Sequence, residues 1–530
     1  MKRNDIRCYP RSRISGGGNL KETFTSRWAL LLAAIGMAIG TGNIWRFPRI
    51  IAQNGGAPFL IPWFLFLFLW SIPLLIIEFG IGKKTRMGTI GAFGSINRGF
   101  TWMGGFVGFC TLAITFYYCV VTGWCFRYTI ASLVDLAVPS GAIPGGGLRG
   151  AETTSYWNSF MSTPWQPVFF HLLGIFTASA IIYRGVVNGI EKANKLLIPA
   201  LFTLLIIAAV RAVTLPGAAE GMNFLFEPRW RDLLNYRIWL AGLSQSAWST
   251  GAGWGLILTY AVYMRRNDDI VANSFLTGLG NNSASLLAAI AIIPTVFAIL
   301  PTQQAISTVT ETGPVSTGLT FIWIPRLFEE IAGGRIFLFV FFLALSIAAL
   351  SSLISMVELG TRIVMDFGLT RRRSILIVGS ACFLFGLPSA LNPGFFQNQD
   401  WVWSVGLLLN GILFAILVIR YGVERFRRDS VDVPDSDFKL GRVFNFVVKI
   451  MIPIEFLAMM TWWFTQAILH YDPDFWWHPF RTFSIGTCIL QWGLLIVFLL
   501  VFNRPIQRRL FGININGPVP EEENRGGIGP

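Results

Sequence analysis

Twelve long apolar stretches run through this 530-residue chain, at approximately 28–52, 57–82, 101–137, 167–184, 190–213, 236–262, 271–300, 335–365, 374–391, 400–422, 442–468 and 483–502. Crossing the hydrocarbon core of a bilayer takes about 20 mostly apolar residues. Within lipid every backbone N–H and C=O must be paired internally, which leaves α-helices or a closed barrel. Barrel strands read as short alternating segments, and these stretches are continuous. The sequence therefore specifies an all-α membrane protein of twelve transmembrane helices, with the lipid bilayer as its main partner. Composition agrees: 53% of residues are hydrophobic and 13% charged, where soluble domains carry about a quarter charged.

The net charge of +14 does not point to nucleic acid, because the basic residues sit in short tracts beside alternate apolar stretches. They include Lys2 to Arg27 before the first stretch, Lys83, Lys84 and Arg86, Arg265 and Arg266, Arg371 to Arg373, and Arg504, Arg508 and Arg509 after the last. Positive charge marks the cytoplasmic side of membrane helices, which predicts that both termini are cytoplasmic. Segment 138–166, on the other side, holds one basic residue, Arg149. Residues 2–27 contain no apolar run, so no cleaved signal peptide is expected. The six cysteines and three histidines show no metal-ligand spacing, and neither a disulfide framework nor a zinc enzyme is expected.

Two apolar stretches are interrupted by glycine. The first contains Gly36, Gly40 and Gly42, followed by Asn43 and Pro48, and the sixth contains Ser249-Thr250-Gly251-Ala252-Gly253-Trp254-Gly255. Glycine inside a helix costs about 1 kcal/mol relative to alanine. Each cluster alone is equally well a close-packing motif of small residues. Their positions favour unwound backbone: they lie five helices apart, at corresponding places in two five-helix repeats, and an odd repeat enters the membrane inverted. Paired interruptions in inverted repeats point to a transporter's binding site. The chain then divides into a tail (1–27), a first repeat (28–213), a second repeat (236–422), helices eleven and twelve (442–502) and a tail (503–530).

The run Gly40-Thr41-Gly42-Asn43-Ile44-Trp45-Arg46-Phe47-Pro48, with Asn54-Gly55-Gly56, Glu78, Tyr117-Tyr118, Gly189-Ile190-Glu191-Lys192, the sixth-helix break, Asn281 and Ser351-Ser352, closely resembles the neurotransmitter:sodium symporter family, which has the leucine-transporter fold. The resemblance implies a sodium-coupled symporter, not an enzyme, that imports its substrate by alternating access. It implies one sodium site at the carbonyl of Ala38 with the side chains of Asn43, Ser249 and Asn281, and a second at the carbonyls of Gly36, Ile39 and Ala348 with the hydroxyls of Ser351 and Ser352. Sodium is a hard cation that suits such oxygen ligands. Tyr118 and the amides of Thr41 and Gly42 would hold a substrate carboxylate. Monoamine-carrying relatives have an Asp where this chain has Gly40, so the expected substrate brings its own carboxylate.

The side-chain pocket by the same resemblance is Met37, Ile114, Trp248, Gly251, Trp254, Ser352 and Met356. It holds no acid or base, and an unpaired buried charge is costly, so a neutral amino acid is expected, with the two indoles shortening the cavity and Gly251 opening it. Chloride is expected at Trp63, Gln245, Ser249, Asn281 and Ser285, since none of these supplies negative charge beside sodium. Arg46 and Asp400 would close an outer gate, and Lys21 and Asp366, with Tyr263 nearby, an inner one. Glu78 would brace the unwound first helix. Segment 138–166 lacks the cysteine pair and glycosylation acceptor of animal relatives, which fits a bacterial inner-membrane protein. The competing readings are a transport-inactive sensor or scaffold that keeps the fold and an intramembrane enzyme; the scattered Glu78, Glu358, Asp400 and Glu455 form no catalytic motif.

Overall fold

The computed structural model describes residues 22–137, 148, 153–227, 229–311, 318–433 and 436–512. All regular structure among them is helical. Among the described residues nine helices are long and apolar enough to cross a membrane, and two bent pairs, Arg27–Ala38 with Thr41–Gln53 and Ile485–Val501 with Asn503–Phe511, bring the number to 11. The twelfth is the sixth span, whose two halves, Tyr236–Ser249 and Leu256–Ala261, are each too short to count alone. The expected boundaries hold closely: the third span is Thr101–Ala137, the seventh Ile270–Ile299 and the eighth Gly334–Asp366.

Both breaks have local causes. The first span starts at Ser26, whose hydroxyl accepts from the Ala29 amide at 3.1 Å, and its first half ends at Ala38. Ile39 and Gly40 are extended, and a second half, Thr41–Gln53, leaves at 52° to the first. Asn43 Oδ1 accepts from the Gly40 amide at 2.9 Å, replacing a helical partner that the break removes. In the sixth span Gly251, Gly253 and Gly255 have φ of 69°, 85° and 78°. That left-handed region penalises any Cβ, so the cluster is unwound backbone rather than a packing stripe.

Glu78 of the second span (Ala57–Thr85) supports the sixth break and not, as expected, the first. Its carboxylate accepts from the Gly253 amide at 2.6 Å and the Leu258 amide at 3.1 Å. The sixth break leaves more amides without helical partners, and a buried carboxylate is stabilised by such donors. Around the breaks the third span packs along the eighth, and the first half of the first span sits against the fifth, seventh and eighth. Leu196, Leu376 and Phe385 lie exposed on the perimeter, as lipid-facing residues do. Several short helices outside the spans, among them Thr89–Ile96 and Ala218–Phe226, have no counterpart in the sequence reading.

Candidate binding site at the two helix breaks

The first break brings oxygens together. Asn281 Oδ1, on the seventh span, lies 3.1 Å from the Ala38 carbonyl oxygen and 2.9 Å from that of Ser249. Acceptors at that distance repel unless a donor or a cation lies among them. Turning the amide over would give both carbonyls an N–H, but it would set the Asn281 nitrogen 2.7 Å from Asn43 Nδ2, a donor against a donor. As placed, Asn43 Nδ2 donates to Asn281 Oδ1 at 2.7 Å and Asn281 Nδ2 donates to Ser249 Oγ at 3.0 Å. The arrangement suits a small hard cation. Asn43 differs from expectation in one respect: it turns its nitrogen towards Asn281, because its oxygen is taken by Gly40.

Across the same break, Ser352 Oγ lies 3.0 Å from the Ile39 carbonyl oxygen, 3.1 Å from that of Met37 and 3.5 Å from that of Gly36. Ser351 donates to the Ala348 carbonyl at 3.0 Å on the same helix. Gly36 and Ile39 therefore meet Ser352 as expected, Met37 O joins them unforeseen, and Ala348 and Ser351 are paired with each other. Tyr118 Oη, from the third span, accepts from the Thr41 amide at 3.1 Å. A Cβ added at Gly40 would lie 3.1 Å from Tyr118 Oη and 3.3 Å from Ser352 Oγ, whereas one at Gly42 would meet nothing within 4 Å.

Around this centre Ile114, Trp254 and Met356 are buried. Gly251 does not open the cavity as expected: a Cβ there would lie 2.7 Å from Met37 Sδ, so the thioether fills that space. Trp248 is covered by the Arg46 guanidinium, 4.5 Å from the ring centroid. Ser285 Oγ also accepts from Asn43 Nδ2, at 2.8 Å. Buried Trp63 Nε1 and Gln245 Oε1 have no hydrogen-bond partner among the described residues.

The gates are unequal. Arg46 and Asp400 make no ion pair with each other; Asp400 accepts from Ser404 at 3.0 Å. Lys21 lies outside the described residues. Asp366 instead pairs with Arg362 at 2.8 Å and accepts from the Gly88 amide at 2.6 Å. Tyr263 donates to Glu358 at 2.7 Å, and Glu358 also takes a two-pronged pair from Arg371 at 3.0 and 2.6 Å. Sequence reasoning counted Arg371 only as a membrane-flanking charge. The signal for its role was Glu358 itself, because a carboxylate within a span requires a partner.

Midspan breaks carrying converged oxygens, in a bundle of membrane helices, define a secondary transporter. The chain matches the Sodium:neurotransmitter symporter family over residues 21–140 and 165–507, and it belongs to that family. It is 31% identical over 469 residues to an uncharacterized sodium-dependent transporter of Methanocaldococcus jannaschii, covering 83% of this chain and 90% of the relative. It is 28% identical to the sodium-dependent serotonin transporter of Drosophila melanogaster over 77% of this chain and 71% of that one. Among solved structures it resembles that of MhsT in complex with L-phenylalanine, with a TM-score of 0.72 and 29% identity, over 83% of this chain and 99% of that one. It is thus a multi-pass membrane transporter with the leucine-transporter fold, of a sodium-dependent family, and not an enzyme.

Proposed function

We propose that this transporter carries a neutral amino acid into the cell together with sodium, which binds at two sites, and with chloride beside the first. Gly40 carries the reading. Its Cβ position, 3.1 Å from Tyr118 Oη and 3.3 Å from Ser352 Oγ, has neither an acid nor easy room for one. The anion that faces the sodium cluster then comes from the substrate, whose carboxylate meets Tyr118 Oη and the amides of Thr41 and Gly42. Ala38, Asn281 and Ser249 bind the first sodium, with Asn43 holding Asn281 in place. Gly36, Ile39, Ser352, Ala348 and Ser351 bind the second. Two observations support a neutral side chain: Ile114, Trp254 and Met356 offer no charge, and the related MhsT was solved with L-phenylalanine.

Chloride is supported by the Trp63 indole, a buried donor without an acceptor among the described residues. The basic tracts support cytoplasmic termini, and a segment 138–166 without a cysteine pair or glycosylation acceptor supports a bacterial inner membrane. Arg46 and Asp400 then face outwards, and their separation fits an outward-facing state. Uptake into proteoliposomes under an inward sodium gradient tests all of this. Accumulation of a neutral amino acid is expected to collapse when sodium is replaced by choline and to fall when chloride is replaced by gluconate. Sodium-dependent binding without accumulation would favour a transport-inactive sensor. Uptake of amines but of no amino acid would overturn the reading of Gly40.

A further inference from the structure

Arg86, just beyond the second span, is the one non-glycine residue with positive φ (58°) among the described residues. Such a conformation is costly for a residue with a Cβ and persists where other contacts hold it. Here the holding contacts are visible. Arg86 Nη1 lies 2.7 Å from the Val262 carbonyl oxygen, 2.6 Å from that of Met264 and 3.4 Å from that of Ala261. These carbonyls lie at the C-terminal end of the short half-helix Leu256–Ala261, where the last carbonyls lack partners within the helix; Ala261 O also accepts from the Met264 amide at 3.2 Å. The remaining one in the series, Tyr263 O, accepts from the Phe24 amide at 3.1 Å, at the entrance to the first span. The Arg86 carbonyl in turn accepts from Arg362 of the eighth span at 3.0 Å. Arg362 pairs with Asp366, which accepts from the Gly88 amide two residues beyond Arg86.

The half-helix has six residues and is cut from its other half by the Thr250–Gly255 break, so its position at this end of the bundle is set by its contacts with neighbouring spans. We infer that Arg86 is a latch: its guanidinium grips the end of the sixth span's short half and, through Arg362 and Asp366, fastens it to the eighth span, holding this end of the transporter shut. Release would free the half-helix to swing away and open a path towards Ser352. Arg86 is a positioning residue, because it reaches neither of the converged oxygen clusters.

The left-handed backbone supplies a discriminating variant. Arg86→Gly is at ease at φ 58° and removes the grip, so a residue needed only for the turn would tolerate it. The reporter is Ser355→Cys on the eighth span, at a position fully buried between Ser352 and Glu358, in a Cys8→Ser background. Formation of a mixed disulfide between the introduced thiol and a small cationic methanethiosulfonate, which releases methanesulfinate, is followed in detergent-solubilised protein. Arg86→Gly is expected to raise the labelling rate of that thiol at least fivefold, with unchanged or higher thermal stability, and Arg86→Lys, which keeps a donor, is expected to fall between. An unchanged rate would overturn the latch. A rise that extends to buried Cys110 and Cys488 would overturn it too, because it would mean that Arg86 holds the whole fold and not this end.

Discussion

Ser352 ties the eighth span to the first break, its hydroxyl lying within 3.5 Å of three carbonyls there. A contact between a polar group and a charged partner is worth about 1.5–3 kcal/mol, so Ser352→Ala is expected to raise the half-saturating sodium concentration by roughly ten- to hundredfold. Isothermal titration of sodium with the substrate saturating reads that directly. Gly40→Asp makes a second test. On the proposed reading an aspartate there would supply the anion that the substrate otherwise brings, and it would crowd Tyr118 Oη. Amino-acid uptake is expected to fall at least about tenfold while sodium binding without substrate holds or strengthens; loss of both would point to misfolding and count against the assignment. At this scale much was legible in sequence, because Gly40, Tyr118, Asn281 and Ser352 fall in ordered motifs. The rest depended on side-chain direction, which no motif encodes. Asn43 turns its nitrogen to the cluster because the break leaves the Gly40 amide in need of an acceptor, and Met37 fills the space beside Gly251 because its flexible thioether can reach it.

The breaks are elements in their own right, and the sixth depends on a residue from another helix. Glu78 accepts from Gly253 and Leu258 across the gap, and Glu78→Gln leaves one of those amides facing an NH2 group. The cost of an orphaned buried donor is about 1–3 kcal/mol, so a drop of several degrees in the thermal midpoint is expected, with transport reduced further than stability. Nothing in the spacing of Glu78 revealed which break it serves, whereas the sixth-span glycine cluster was readable because left-handed backbone demands glycine. The connection between the tenth and eleventh spans gives a pH test outside the membrane. Hydrogen bonds from Arg427, then Asn445 and Arg428, hold the exposed Glu424 carboxyl down at about 2. Its folded value lies below its unfolded value, so its contribution is complete above about 4.5 and is lost as pH falls towards 2. The thermal midpoints of the wild type and Glu424→Gln are expected to differ at pH 6 and to converge as the pH is lowered towards 3.

The two ends of the molecule are in different conditions. At one, Arg86, Arg362, Asp366, Tyr263, Glu358 and Arg371 are bound up with one another or with the sixth span's short half. At the other, Arg46 rests on Trp248 while Asp400 bonds to Ser404. On the proposed reading the second end closes before the first opens, with Arg46 and Asp400 as the charge pair expected to close it once substrate is seated. Asp400→Asn should then leave this state untouched, because the carboxylate makes no ion pair with Arg46 here. The thermal midpoint of the substrate-free protein is expected to stay within about 2 °C, and equilibrium substrate binding to remain within a few-fold. Sodium-driven turnover in proteoliposomes is expected to fall about tenfold or more, because the pairing would form only in the closed intermediate and its loss raises that step alone. Equal losses in binding and turnover would instead make Asp400 part of the resting site, and would remove the reason for reading the Arg46 end as open.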